Sequence, residues 1–498
     1  MTSEKGQPRR CRGAILLVMN LATEHCYPIV QARDARFDGL FFVGVSSTGV
    51  YCRPVCTVRT PGRQRCTFYA NAASAEAAGY RPCLRCRPEL APGRAPIDSV
   101  RQSAGLLFDA IQAGALATGN VEDLAADFGL SSRQLRRIVS TEYGVTPLAL
   151  ERTRRLLLAK QLLTDSPLRI VDVAFACGFA SVRQFNRIFA QHYRLNPHTL
   201  RRNKGVQSGD SVPIKLGFRG PLAWDALAGF LAGRGSGRTE MLQSRQYVRT
   251  VAIDEHEGWI AAQPDTGSVL KVEVSLSLLP VLPQLQIRLR RLFDLDASPL
   301  IIDQQLGSNP RLRDMVLRTP GLRVPGAMDG FELALRAIVG QQVSVKSATT
   351  VFARFVECFG RSMVTPFPQL DRLAPTAEAV ARADLSQLIA LGLTGKRAAT
   401  VLALARAVAE KEILLAPSAD SEQVRARLLA LPGIGPWTTE YIAMRALGDP
   451  DAFPASDLAL MKIMGTDKPK VLQAEAEAWR PWRAYAAIHV WHSLSAGG

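Results

Sequence analysis

Apolar residues recur at helical spacing through residues 97–202, for example at Leu124, Phe128, Leu135, Ile138 and Val139, and predict an all-helical region. From Pro213 to about Leu279 the pattern changes. Residues 247–253 and 268–275 alternate apolar and polar positions with a period of two, as strands do, and one helix near residues 224–231 interrupts them. From about Leu282 onward helices return, broken by Pro/Gly turns. Residues 21–92 are rich in Cys, Arg and aromatics and run into a Pro/Gly-rich linker at 88–96. A Gly/Ser-rich linker follows the helical region at 203–212.

The helical region contains a repeat. Leu124 to Ile138 resembles Val173 to Ile188, the second copy being one residue longer. Each copy has an apolar helix, a glycine turn (Gly129, Gly178), a serine and an Arg-rich helix. That is the helix-turn-helix pattern, whose second helix enters the major groove of DNA. The candidate groove-facing residues are Ser132, Arg133, Arg136 and Arg137 in the first copy. In the second they are Ser181, Arg183, Gln184, Asn186 and Arg187. Arg, Gln and Asn can pair with base edges through two hydrogen bonds. The competing role for each is a solvated outer helix face.

At 498 residues the chain is long enough for three or four domains. Hydrophobic residues make up 47% and charged residues 21%, which suits globular domains with real cores. The net charge of +17 calls for a polyanionic partner, nucleic acid ahead of an acidic membrane surface. No run of 18 apolar residues exists, so no spanning helix and no membrane partner is expected. Arg9, Arg10 and Arg12 precede a six-residue apolar run that is too short for a signal peptide. Residues 1–20 read as a disordered extension, and Met19 is an alternative start.

Nine cysteines are too sparse for a disulfide scaffold, yet seven precede residue 87. Cys52 and Cys56 form one close pair, Cys83 and Cys86 another, with 26 residues between the pairs. Two such clips joined by a loop are what tetrahedral zinc needs, so one Zn²⁺ on four cysteines is expected. Cys11, Cys26, Cys66, Cys177 and Cys358 lack paired spacing and read as buried or incidental.

The residues around these cysteines carry a more specific signal. Thr48 to Cys56, Phe68 to Ala72 and Gly79 to Pro88 resemble the N-terminal domain of the Ada methylation-response family. The resemblance implies that Cys52 is both a zinc ligand and the nucleophile that takes a methyl group from a DNA methyl phosphotriester. Cys56, Cys83 and Cys86 would then be the remaining ligands. The helical repeat resembles AraC-type DNA-binding domains, which implies that residues 147–163 form the long helix joining the two units.

Residues 213–498 resemble the AlkA-type 3-methyladenine DNA glycosylases. The matching segments are Trp224 to Ala232, Ala337 to Ser344, Leu431 to Thr438, Phe453 to Asp457 and Trp479 to Tyr485. Pro432, Gly433, Ile434 and Gly435 make the tight turn of a helix-hairpin-helix, whose backbone N–H groups can approach a DNA phosphate. By resemblance Asp457 is the catalytic carboxylate, and its ordinary role as a helix N-cap is compatible with that. Trp437, Tyr441, Trp491 and Gln341 fall at pocket positions for the extruded base. Gln342 stands at the DNA wedge position, where the family is often apolar. Trp437 stands where strand-cutting relatives carry a lysine, so a monofunctional glycosylase is implied. No Pro-Cys-His-Arg motif of the O6-alkylguanine acceptors is present.

The expected fold is multidomain α+β. Its parts are the 1–20 extension, a small zinc-bound α/β module at 21–92, an all-α double helix-turn-helix at 97–202, a small α/β domain with an antiparallel sheet at 213–281, and an all-α helix-hairpin-helix glycosylase at 282–498. The expected function is excision of alkylated bases, methyl acceptance and sequence-specific binding as a transcription regulator. The expected partners are double-stranded alkylated and promoter DNA, with RNA polymerase as a further one. The expected state is a monomer in the bacterial cytoplasm, associated with the nucleoid. The rival reading is a regulator with an inactive glycosylase-like scaffold and purely structural zinc.

Overall fold

The computed structural model describes residues 21–93, 102–201 and 209–495; the expected extension at 1–20 lies outside them. The first module pairs helix α1 (Thr23–Ala32) with four short strands. These are β1 (Phe42–Val45), β2 (Val50–Cys52), β3 (Cys66–Tyr69) and β4 (Arg81–Pro82), in the order β3-β1-β2-β4. β1 runs antiparallel to β2 and β3, whereas β2 and β4 are parallel. A six-residue helix, α2 (Ala72–Ala77), leads into β4, capped by the Asn71 side chain on the Ser74 N–H. Gly44 in β1 lies under the rings of Tyr69 and Tyr80, and a Cβ there would meet both within 2.9 Å.

The helical region is built from α3 (Gln102–Gln112), α4 (Ala115–Thr118), α5 (Val121–Asp127), α6 (Ser132–Tyr143), α7 (Pro147–Asp165), α8 (Ile170–Ala176), α9 (Val182–Tyr193) and α10 (Pro197–Leu200). The repeat appears as α5–α6 and α8–α9. Gly129 and Gly178 take the left-handed conformation the turns require, at φ +63 and +82. The likeness runs further than the sequence reading took it. Both groove helices end on tyrosine, Tyr143 and Tyr193, followed by a left-handed residue and a capped helix beginning with proline, at Pro147 and Pro197.

The next unit is a five-stranded antiparallel sheet in the order β5-β9-β8-β7-β6. Its strands are β5 (Ser211–Gly217), β6 (Glu240–Gln243), β7 (Gln246–Ile253), β8 (His256–Pro264) and β9 (Val269–Ser275), with α11 (Trp224–Ala232) between β5 and β6. The alternation rule found β7 and β9; β5, β6 and β8 are additional. Pro213 in β5 is tolerated because β5 is an edge strand, paired only with β9. Leu285, Leu289 and Leu292 of α12 (Leu282–Leu292) bury into the same core, so it extends past residue 281. A mostly helical body follows and buries its own large core. Among the described residues no helix is long and apolar enough to cross a membrane.

The modules are packed together rather than strung apart. α7 lies between the first module and the sheet. Asp165 pairs with Arg87 at 2.6 Å, Lys160 with Glu89, and the Gln161 amide donates to the Lys215 carbonyl of β5. Glu76 of α2 accepts from Thr153 of α7 at 2.7 Å and from Tyr51 at 3.0 Å. Burial pushes its carboxyl up to about 7, although hydroxyl donors pull the other way. Arg219, after β5, donates to the carbonyls of Asp38, Gly93 and Asp296, tying the first module to the second half of the chain.

One buried ion cluster joins the sheet to the helical body. Arg249 of β7 is 4% exposed and donates to Glu332 at 2.8 Å and to Glu240 at 3.4 Å. Replacing Arg249 with Met leaves two carboxylates buried without their cation. We expect a stability loss of about 3–5 kcal/mol in denaturant unfolding, largely restored when Glu240→Gln and Glu332→Gln accompany it. A loss below about 1 kcal/mol would contradict this role.

Candidate functional sites

The sulfur cluster arises from strand pairing. Cys52 ends β2 and Cys83 follows β4. Because these strands are parallel, the Cys83 N–H donates to the Tyr51 carbonyl at 3.0 Å and the two thiols sit side by side. Short turns return Cys56 and Cys86 to the same point. The four Sγ atoms all lie within 4.8 Å of one another. Sulfurs held tetrahedrally at about 2.3 Å from zinc stand about 3.8 Å apart, so the cluster has the size and the donor set for one Zn²⁺. Thiol hydrogen bonds from Cys52, Cys56 and Cys86 hold the Cys83 sulfur far below the usual thiol range. Cys56 is brought down to about 7, chiefly by Cys52. Cys52 is only 3% exposed and Cys86 is the most open of the four. Cys26, Cys66 and Cys177 are buried apart from the cluster and Cys358 is exposed; Cys11 lies outside the described residues.

The cluster has a cationic support that spacing did not reveal. The Arg53 N–H approaches the Cys86 sulfur at 3.4 Å, and its side chain donates to the Cys86 carbonyl at 3.2 Å and to Asp38. The only available signal was its place inside the Cys52–Cys56 turn.

In the glycosylase-like half, helices Ser421–Ala430 and Pro436–Arg445 flank the hairpin turn. Gly433 is left-handed at φ +85, and a Cβ there would strike the Thr400 hydroxyl at 2.2 Å. Thr400 in turn donates to the Pro432 carbonyl at 2.8 Å. Pro432 and Gly433 are exposed and Ile434 is buried beneath them; Gly435 caps the second helix. The first-turn N–H groups of that helix have no partner within it, which is the arrangement a phosphate can use.

Asp457 caps helix Leu458–Ile463, its Oδ1 accepting from the N–H groups of Ala459 and Leu460 at 3.0 and 2.9 Å. Two indoles complete its shell: Trp437 Nε1 donates to Oδ2 at 2.8 Å and Trp491 Nε1 to Oδ1 at 3.1 Å. Trp437 stacks on Tyr441 with ring centroids 5.2 Å apart and planes 10° apart, and Trp491 lies 6.1 Å from Tyr441. Two of the predicted pocket residues, Trp437 and Trp491, therefore converge on one half-buried carboxylate, with Tyr441 stacked against Trp437. Asp449 and Asp451 are held in ion pairs with Arg425 and Arg483.

Gln341 is placed differently from the other pocket residues. Its amide donates to the Gly433 carbonyl at 3.1 Å and the Thr438 hydroxyl at 2.9 Å, making it a strut against the hairpin. Gln342 is exposed at the tip of the same turn with φ +54, a conformation unusual for a residue with a side chain. Sequence reasoning missed the arginines behind the pocket. Arg445 donates to the Tyr441 hydroxyl at 2.7 Å and lies over the Phe230 ring, as does Arg234. Burial alone would raise the Tyr441 phenol, but Arg445, Arg234 and Arg336 outweigh it and lower it. Burial brings Arg336 itself down to about 10. These residues are far apart in sequence and share no spacing that could have signalled them.

On the groove helices, Arg133, Arg136 and Arg137 are exposed, Arg136 pairing with Glu122 at 2.9 Å. Arg183 and Arg187 are exposed, and Asn186 is half-buried. Ser181 and Gln184 are tied up at the start of α9: the Ser181 hydroxyl accepts from the Gln184 N–H, and the Gln184 carbonyl oxygen accepts from the Ala180 N–H. Ser131 and Gln134 form the matching capping box on α6, one residue before the Ser132 that was singled out.

Comparison with known proteins covers nearly the whole chain. Family models match in four consecutive stretches: the metal binding domain of Ada at 25–89, a helix-turn-helix domain at 124–203, the AlkA N-terminal domain at 213–329, and the HhH-GPD superfamily of base excision DNA repair proteins at 335–484. A probable bifunctional transcriptional activator/DNA repair enzyme AlkA of Mycobacterium tuberculosis is 39% identical over 95% of this chain and 96% of its own length. DNA-3-methyladenine glycosylase 2 of Escherichia coli is 35% identical over 56% of this chain and 96% of its own. The solved 3-methyladenine DNA-glycosylase of Archaeoglobus fulgidus shares the fold, with a TM-score of 0.51 and 20% identity over 57% of this chain and 99% of its own. With a relative this similar over nearly its whole length, the chain belongs to the family of bifunctional transcriptional activator/DNA repair enzymes that join an Ada-type metal-binding domain and a helix-turn-helix domain to an AlkA-type glycosylase.

Proposed function

We propose that the chain excises alkylated bases such as 3-methyladenine by hydrolysing the N-glycosidic bond, with Asp457 as its catalytic residue. The observation that carries this reading is the Asp457 carboxylate held by Trp437 and Trp491 beside the stacked rings of Trp437 and Tyr441. The extruded nucleotide brings C1′ to that carboxylate and its cationic base to the rings. The base leaves with the electron pair of the C1′–N bond, and positive charge builds on the sugar. Asp457 stabilises that charge, water adds to C1′, and the added water passes its proton to bulk solvent. The indole and backbone N–H groups keep the carboxylate oriented without neutralising it. The exposed Gln342 is suited to occupy the space the nucleotide vacates, and the Pro432–Gly435 turn to hold a phosphate.

The second activity we propose is methyl acceptance at Cys52. Its sulfur attacks the methyl carbon of a DNA methyl phosphotriester; an S–C bond forms, the C–O bond breaks, and a phosphodiester anion leaves. Cys52, Cys56, Cys83 and Cys86 would hold one zinc ion, which would keep the acceptor sulfur deprotonated at neutral pH. Conversion of a thiolate to a thioether removes one negative charge and lessens repulsion of the DNA backbone. Arg133, Arg136, Arg137, Arg183, Arg187 and Asn186 would contact the groove or backbone, with Ser181 and Gln184 shaping the start of α9. The same reading makes the protein a monomeric regulator of the bacterial cytoplasm, bound to the nucleoid and contacting RNA polymerase.

Asp457→Asn should lose on the order of 100- to 1,000-fold in single-turnover base release while damaged DNA still binds. Near-normal excision by that variant would remove Asp457 from the mechanism. Because Trp437 occupies the strand-cutting lysine position, the product should be an intact abasic site. An efficient borohydride-trapped adduct would overturn the monofunctional assignment.

Metal analysis should find one zinc per chain, and Cys83→Ala should lose it together with the fold of the first module. Full zinc retention in that variant would sink the ligand assignment. Peptide mass spectrometry after exposure to methylated DNA should find one methyl group, on Cys52; a methyl on the more open Cys86 would reassign the acceptor. Titrations across a salt series should show tighter DNA binding after methylation, and equal affinities would refute the charge switch.

A further inference from the structure

Helix α2 of the zinc module reaches the far ends of both groove helices. The Asn71 amide and the Ser74 hydroxyl donate to the carbonyl of Tyr143, the last residue of α6, at 2.9 and 2.8 Å. Less than one turn on, Glu76 accepts from the hydroxyl of Tyr193, the last residue of α9, at 3.3 Å. The same carboxylate accepts from Thr153 in the middle of α7 and from Tyr51 beside Cys52. Tyr143 and Tyr193 are equivalent positions in the two repeats, yet α2 holds one by its backbone and the other by its side chain.

We propose that α2 is a brace that sets the distance and phase between the two groove helices, with Asn71, Ser74 and Glu76 as positioning residues for two-part DNA recognition. Two reading heads joined by one long helix can swing and twist about their connecting turns. Attachment at the end of α6, the end of α9 and the middle of α7 removes that freedom. The zinc module thereby constrains which half-site spacing the protein accepts without touching those bases. Tyr51 places the strand of the methyl acceptor in the same hydrogen-bond set. The proposal rests on α6 and α9 being the groove helices.

The test selects binding sites from a randomised duplex library with the full-length, zinc-loaded protein. Wild type should return two half-motifs at a single spacing. The double variant Ser74→Ala, Tyr193→Phe removes one hydroxyl from the contact to each groove helix and little else. It should return the same half-motifs spread over neighbouring spacings. Its affinity for the preferred site should fall about 10-fold, the worth of two hydrogen bonds. Zinc content, affinity for an isolated half-motif and base release from alkylated DNA should be unchanged. Glu76→Ala, checked for zinc content, should spread the spacing further. A double variant that keeps the single wild-type spacing overturns the brace. So does an affinity loss equal at every spacing, or one shared by isolated half-motifs, since either marks a merely structural role. A wild type that selects no paired motif overturns the groove-helix reading itself.

Discussion

Helix α7 is buried on nearly all sides, and that constraint orders the rest of the molecule. Its buried residues include Glu151, Arg154, Lys160 and Gln161 as well as its leucines. A charge taken out of water must be paired or the fold loses several kcal/mol. Glu151 and Arg154 answer each other within the helix, at 2.7 Å. The other partners must come from elsewhere: Glu89 and Arg87 from the zinc module for Lys160 and Asp165, and the β5 backbone for Gln161. The helix that joins the two DNA-reading units is therefore also the surface on which the zinc module and the sheet assemble. Its Leu156, Leu158, Leu162 and Leu163 share a single core with β5, β7, β8 and β9.

Both groups proposed to react sit where a regular element begins or ends, and the element's own backbone aims them. Cys52 closes a strand and Cys83 follows the strand parallel to it. Asp457 opens a helix whose first N–H groups hold one carboxylate oxygen. In each case side chains add to a simple backbone anchor: the Arg53 guanidinium on the Cys86 carbonyl, and two indoles around the carboxylate. Preorganised groups need no rearrangement when charge moves, which is how such sites lower barriers. Arg445 donates to the Tyr441 hydroxyl and lies over its ring, and with Arg234 and Arg336 it lowers the phenol against the effect of burial.

What could be read in advance followed the range of each signal. The cysteine pairs, the helix-turn-helix repeat, the hairpin turn and the Asp457 cap are local patterns, in which residues within a few positions do the chemistry together. β7 and β9 were legible because they alternate. β5 was hidden by its proline and its place in a linker-like stretch, and β6 by its four-residue length. Ser181 and Gln184 look like base readers by type, but their positions at a helix start commit them to capping.

By itself, then, the sequence determined the four-part order of the chain and the sulfur quartet, because each is encoded by short-range patterns of chemically distinctive residues, while Asp457 and its aromatics were legible through the family resemblance of their motifs. Only the tertiary structure decided how these parts meet. It tied the Gln341 amide to the hairpin, and it brought Arg234, Arg336 and Arg445 behind Tyr441. It also set α2 against the ends of both groove helices. The physical reason is common to all three. Burying polar groups forces partners together across long stretches of chain, and that pairing depends on the packed geometry, which no local spacing records.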